Sequence, residues 1–200
     1  MAALAAFAVA PAAAAPPSLT LKASPTLVGY GATTTLSGAL STGRSGQSVE
    51  IQAQQCGQSA FKKLAVASTG AGGAFTFAAK PTSNTSYEAK LKAATSPSVA
   101  VKVTPIVALR RRATGRFAVS VTAAQSFVGK YVAFQRRRGA KWVTLKKVTL
   151  AAVKTTVAPT EVSSAGFRLK LPAGLRVRAV LPASQAGACY GPARSGVVRS

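Results

Sequence analysis

Histidine and aspartate are absent from this 200-residue chain, and three glutamates (Glu50, Glu88, Glu161) stand against 26 lysines and arginines. General acid–base catalysis draws on a histidine or on paired carboxylates, and three glutamates far apart in sequence supply neither. Calcium needs several carboxylates and zinc a cluster of cysteine and histidine, so no metal and no cofactor is expected. The residue inventory therefore predicts a protein that is not an enzyme. Methionine and tryptophan each occur once, and the 48% apolar content leans on alanine and valine. A core of such small groups suits thin sheets packed face to face better than a bulky helical bundle. No membrane-spanning run is present.

What the chain has in excess is positive charge, net +23. A balance of that kind attracts polyanions whether or not a dedicated site exists. The opening segment, residues 1–17, is too short and alanine-rich to span a membrane. It matches the apolar core and small-residue cleavage region of a secretory signal, cut after Ala14, and so places the protein outside the cell or on its surface. The alternative reading is an Ala/Pro tail. The basic start of such a signal is missing, which points to a beginning upstream of Met1. With export, two cysteines make a disulfide plausible.

From residue 18 the chain alternates. Residues 18–23 read as a strand closed by Ser24-Pro25, 28–31 as a turn, and 33–40 as a threonine-rich second strand. In the third, Val49, Ile51 and Ala53 face one way while Ser48, Glu50 and Gln52 face the other, a period of two that sets one side on a core. Residues 61–68, 74–79, 86–94 and 98–104 complete seven strands with turn signals about every ten residues, the pattern of an immunoglobulin-like (Ig-like) sandwich. Tyr87, near the start of the sixth strand, is either a corner tyrosine bonded back to the chain or a half-buried strand residue.

The plan then repeats over 106–111, 116–123, 131–137, 142–148, 166–171, 176–181 and 195–199, with 153–158 as an extra edge strand. Gly129 corresponds to Gly46, Val132 to Val49, Phe134 to Ile51, Trp142 to Phe61 and Leu145 to Leu64. Trp142 sits among basic residues, which invites a stacking role, but its match to Phe61 favours a packing aromatic. The expected fold is all-β: two tandem Ig-like antiparallel sandwich domains, 18–104 and 105–200, after the signal segment. The junction at 103–107 contains a proline and no Gly/Ser spacer, so the domains should sit stiffly end to end.

The runs Gly46-x-x-Val-x-Ile, Thr69-x-x-x-Gly-x-Phe-x-Phe77 and Thr85-x-Tyr87 resemble secreted bacterial Ig-like repeat domains. They are also similar to the carboxypeptidase-regulatory-like β-sandwich. Residues 129–142 and Gly187-Ala-Cys-Tyr190 look like a divergent second copy, in which the missing T-x-x-x-G-x-F-x-F run leaves the middle strand pairing open. The resemblance implies an architecture and no ligand, because such modules serve as spacers, adhesins or enzyme appendages. A five-residue run, Leu181-Pro-Ala-Ser-Gln185, faintly resembles a wall-sorting signal but lacks its Thr-Gly and a following apolar tail, so no anchor is predicted.

In Ig-like topology the turn after the third strand of the first domain and the last loop of the second face the same junction. Cys56 and Cys189 occupy those two turns, and an interdomain disulfide between them is expected. By the same topology, Arg110, Arg111, Arg112 and Arg116, then Arg136, Arg137, Arg138 and Lys141, then Arg176 gather at the pole remote from the junction. Residues 18–104 hold eight basic residues and two glutamates, and 105–200 hold eighteen and one, so charge is polarised toward the C-terminal half. A basic cap of this composition suits an anionic wall polymer, an acidic glycan or a phospholipid surface, since the guanidinium fork binds phosphate and carboxylate bidentately. A merely solvated basic face is the alternative. No specific nucleic-acid partner is expected, because no RNA-binding signature, zinc motif or aromatic platform is visible.

Overall fold

The computed structural model describes residues 16–200, so the signal-like run over 1–15 lies outside the described residues. The strands before Pro105 are β1 (Lys22–Ser24), β2 (Leu27–Gly29), β3 (Thr34–Ala39), β4 (Ser48–Gln55), β5 (Lys62–Ser68), β6 (Ala74–Ala79), β7 (Thr85–Leu91), β8 (Ala94–Thr95) and β9 (Val99–Thr104). After it come β10 (Ile106–Ala113), β11 (Arg116–Ala123), β12 (Tyr131–Arg138), β13 (Lys141–Thr149), β14 (Ala152–Thr155) and β15 (Glu161–Arg168). The chain then forms β16 (Arg176–Leu181), one helical turn, α1 (Ala183–Ala186), and two short strands, β17 (Ala193–Arg194) and β18 (Val198–Arg199).

Strands before Pro105 form two sheets, ordered β1-β3-β6 and β2-β9-β7-β4-β5. Those after it form β10-β11-β15-β14 and β13-β12-β16-β17. Among the described residues no ladder joins a strand of one half to a strand of the other. In the C-terminal half one sheet takes the first, second, sixth and fifth strands and the other the fourth, third, seventh and eighth. That interleaving is the Greek-key order of an Ig-like sandwich, so the fold follows from connectivity alone.

Alternation explains the layers. In β4, Val49 and Ile51 are wholly buried while Glu50 and Gln52 are part-exposed, and β11 likewise buries Phe117, Val119 and Val121. The aromatic centre of the C-terminal half is Phe117, Phe134 and Phe167, with centroids 5.0–5.5 Å apart. The two fully buried rings, Phe117 and Phe134, each contribute about 1.5–3 kcal/mol by leaving water, and the half-buried Phe167 less. The repeat is reproduced in backbone detail. β4 and β12 each carry a register shift immediately after the matched residues Ile51 and Phe134. Their opening glycines, Gly46 and Gly129, both hold positive φ (72° and 82°), a conformation that glycine adopts without a Cβ penalty.

Several expectations are corrected. Of the turn expected at 28–31, Val28 and Gly29 instead belong to β2, which pairs in parallel with β9. Pro25 has no N–H to give to a ladder, and the chain passes there from one sheet to the other. The strand expected at 166–171 begins at Glu161 and pairs with β11 over eight residues, which closes the question of the middle strands. Of the strand expected at 195–199 only Val198–Arg199 is strand (β18); β17 ends just before Ser195, which is turned inward so that its hydroxyl oxygen accepts from Ala179 N–H. The sorting-like pentapeptide is the buried end of β16 and the start of α1.

The disulfide junction and a candidate interaction surface

Cys56 follows β4, Cys189 follows α1, and the two are joined in a disulfide with their Cα atoms 5.3 Å apart. Hydrogen bonds surround it. Asn84 N–H donates to Cys189 O (2.9 Å) and Cys56 N–H donates to Asn84 O (2.8 Å). The Asn84 side chain accepts from Val103 N–H at 2.8 Å through Oδ1 and donates to Ala188 O at 2.9 Å through Nδ2. Gly191 N–H adds a bond to Val103 O. Asn84 thus ties three segments together: the Cys56 turn, β9 and the Cys189 loop.

A second tie is made by Tyr190, whose hydroxyl donates to Thr82 O (2.8 Å) and accepts from Ala124 N–H (3.1 Å). Its ring meets Phe127 edge-on, and Phe127 N–H is held by Ser163 Oγ. A third is the 2.9 Å hydrogen bond between Tyr30 Oη and Thr160 Oγ1. Burial pushes the Tyr190 hydroxyl above its ordinary pKa; the bond from Ala124 opposes that and Tyr30 adds to it. Tyr87 is 2% exposed and lies on the core side of β7; burial raises its pKa too, against a hydrogen bond with Thr85. Neither Asn84 nor Tyr190 stood out as a junction residue in the sequence. The available signal was Asn84 just ahead of a strand and Tyr190 next to Cys189.

The basic residues singled out in the sequence divide between two sheets. Arg110, Arg111 and Arg112 end β10 and Arg116 begins β11, with Arg116 directly across from Arg168 on β15. Arg112, Arg116 and Arg168 line one shallow cleft of about 400 Å³. On the other sheet, Arg138 faces Lys141 across the β12–β13 turn, and Arg137 pairs with Trp142. Arg136, on the core side of β12, is partly covered, and its Nε is buried with no hydrogen-bond partner among the described residues. Arg176 opens β16, at the end away from the loop that carries Cys189. The ion pair found among the described residues is Lys63–Glu50, at 3.7 Å, so the eighteen basic groups of the C-terminal half are not neutralised by carboxylates there.

Trp142 is not a core residue. It is half-buried on the sheet surface, with the Arg178 guanidinium 4.1 Å from its ring centroid, so the stacking role prevails over the packing one. Arg178 Nε also donates to Gln135 Oε1 (2.9 Å), and Gln135 Nε2 to Thr144 Oγ1. Burial, and secondarily the charge of Arg194, lowers the Arg178 pKa from its ordinary value. These residues come from four different strands, and nothing in their sequence spacing brings them together. Among the described residues no group of three His, Cys, Asp or Glu side chains is placed to hold a metal ion, and no helix is long and apolar enough to cross a membrane.

No protein-family model and no curated protein matches the chain. Among solved structures the chain is similar to a marsupial T cell receptor, at 11% identity over 93% of this chain and 100% of that one, with a TM-score of 0.36. It is also similar to a bovine butyrophilin, at 13% identity over 93% of this chain and 99% of that one, with a TM-score of 0.34. The Ig-like assignment rests on strand order and not on these likenesses.

Proposed function

We propose that this is a secreted, non-catalytic interaction protein in which two Ig-like domains, 18–104 and 105–200, act as a rigid spacer or adhesion module at a cell envelope. The observation that carries this reading is the junction. One residue, Pro105, separates β9 from β10, and the Cys56–Cys189 bond closes the same boundary from the other side. Two covalent connections flanked by hydrogen bonds from Asn84, Gly191 and Tyr190 remove the hinge freedom that a single linker leaves. Small-angle scattering of the oxidised protein and of a C56S/C189S variant tests it. A maximum dimension and profile that broaden in the variant support a locked spacer; identical profiles refute the role of the staple.

A second reading has its own support, the unneutralised charge of the C-terminal half. In it that half docks to an anionic envelope polymer or an acidic glycan. Arginine clusters bind carboxylate and phosphate oxygens bidentately, and such binding is salt-sensitive. Retention on an anionic matrix that is unchanged after both arginine triplets, 110–112 and 136–138, are replaced by glutamine counts against a localised cap.

A further inference from the structure

The outward side of the β13-β12-β16-β17 sheet collects cations that the sequence scatters from Arg137 to Arg199. Val177, Ala179 and Leu181 of β16 point into the core, so Arg176, Arg178 and Val180 point out. The ladder then sets outward neighbours beside them: Arg199 opposite Arg176, Gln135 opposite Arg178, and Arg194 opposite Val180. On β12 and β13 the same face carries Arg137 beside Trp142, Gln135 beside Thr144, and Ala133 beside Lys147. The next step of the β12–β16 register places Arg137 alongside Arg176. The result is a lattice in which Arg137, Arg176 and Arg199 form one cross-strand row at the strand spacing of about 4.8 Å, while Arg178, Arg194 and Lys147 are set among neutral neighbours.

Three features of that lattice bear on what covers it. Arg178 is preorganised: its Nε is committed to Gln135 and its plane to Trp142, while its two terminal nitrogens have no hydrogen-bond partner among the described residues. Arg178 and Arg194 share a cleft of about 520 Å³ with Leu27, Thr104, Pro105 and Pro192, so the face runs into a recess at the junction. The aromatic rings are capped by cations, Trp142 by Arg178 and Tyr131 by Lys147 at 4.9 Å. Capped rings do not offer the open platforms on which bases stack. The aliphatic side chains of the face, Ala133 and Val180, are too short to insert into a bilayer. Between the cations, the Thr144 hydroxyl and the Gln135 amide retain hydrogen-bonding capacity suited to sugar hydroxyls.

We propose that this outer sheet face, centred on Arg176, Arg178, Arg194 and Arg199, binds a linear acidic glycan through its carboxylates. The inference deepens the polyanion reading and rests on it, but moves the centre of the contact from the turns at the pole to the flat of the sheet, with Arg176 common to both. Arg178 is the orienting group and the exposed arginines around it supply charge.

The test titrates the oxidised full chain with polygalacturonate, with neutral dextran and single-stranded oligothymidylate as comparators, near physiological ionic strength. Two variants lose the same four charges: R176Q/R178Q/R194Q/R199Q on the face and R110Q/R111Q/R112Q/K141Q at the pole. The expected result is a loss of about thirtyfold or more in polygalacturonate affinity for the face variant, roughly 2 kcal/mol at 1.4 kcal/mol per tenfold, and a change of a few-fold for the pole variant. Equal losses, or a larger loss at the pole, overturn the face while leaving the polyanion reading intact. Tighter binding of oligothymidylate than of polygalacturonate overturns the glycan. Failure of the wild type to bind either anion above dextran refutes the polyanion reading itself. Should replacing the half-buried Arg178 lower the melting temperature, R176Q/R194Q/R199Q, at three exposed positions, set against R110Q/R111Q/R112Q, carries the same comparison.

Discussion

Replacing Asn84 separates the energetic parts of the junction. Its side chain makes two hydrogen bonds of unequal standing. The one from Val103 N–H lies beside a residue with no exposed surface, whereas the one to Ala188 O is at the protein surface. In Asn84→Ala the surface carbonyl turns to water at little cost, but the Val103 N–H is left without an acceptor in a dry place. An unsatisfied buried donor costs about 1–3 kcal/mol. Asn84→Ala should therefore lose about 2 kcal/mol, and Asn84→Asp, which keeps an oxygen facing Val103 N–H, well under half of that at neutral pH. Urea unfolding of the oxidised proteins measures both. With a slope of about 2 kcal/mol per molar, the alanine variant moves its midpoint down by roughly 1 M. Amide exchange at Val103 should accelerate in alanine and hold in aspartate. An aspartate variant as damaged as the alanine one would refute the reasoning, because the loss would then lie in the exposed contact to Ala188.

Removing the disulfide as C56A/C189A frees a closed loop of 133 residues, for which chain entropy gives an upper figure of about 5 kcal/mol; denaturant midpoints with and without reductant measure the loss, and an unchanged midpoint would contradict it. Gly38→Ala should destabilise strongly, by about 3 kcal/mol or more, because a Cβ there would fall within 2.0 Å of Thr20 O, and backbone cannot yield as a side chain can; thermal melting followed by circular dichroism decides it. Tyr87 and Tyr190 have raised pKa values in the folded state, so the stability each contributes is complete below the ordinary value near 10 and declines as pH rises through the higher folded value. Absorbance titration of the phenolates should show these two ionising late and together with unfolding, and early titration of all four tyrosines would refute the burial argument.

The legible part of this fold is the part that is local. Alternation in 48–53 and 116–123 located strands, because a period of two is imposed by the pleat on each strand separately. The match of Val49 and Ile51 to Val132 and Phe134 held down to a shared register shift. Strand ends resisted such reading: β2 is three residues long, and β15 opens with Glu161 and Val162, whose polar flanks look like loop. Trp142 departs from its expected packing role for a related reason: its match to Phe61, just ahead of β5, fixes a place along the chain but not what lies across the sheet.

The sequence by itself determined that the chain is sheet, that it repeats, that it has neither histidine nor aspartate, and which turns hold the two cysteines. The tertiary structure decided the rest. Only long-range register brings Asn84 to Val103 and Ala188, Tyr190 to Thr82 and Ala124, and Arg178 between Trp142 and Arg194. Side-chain period is a property of one strand, whereas cross-strand neighbours are set by pairing between strands distant in sequence. The basic residues were therefore countable in advance, and their arrangement into a face was not.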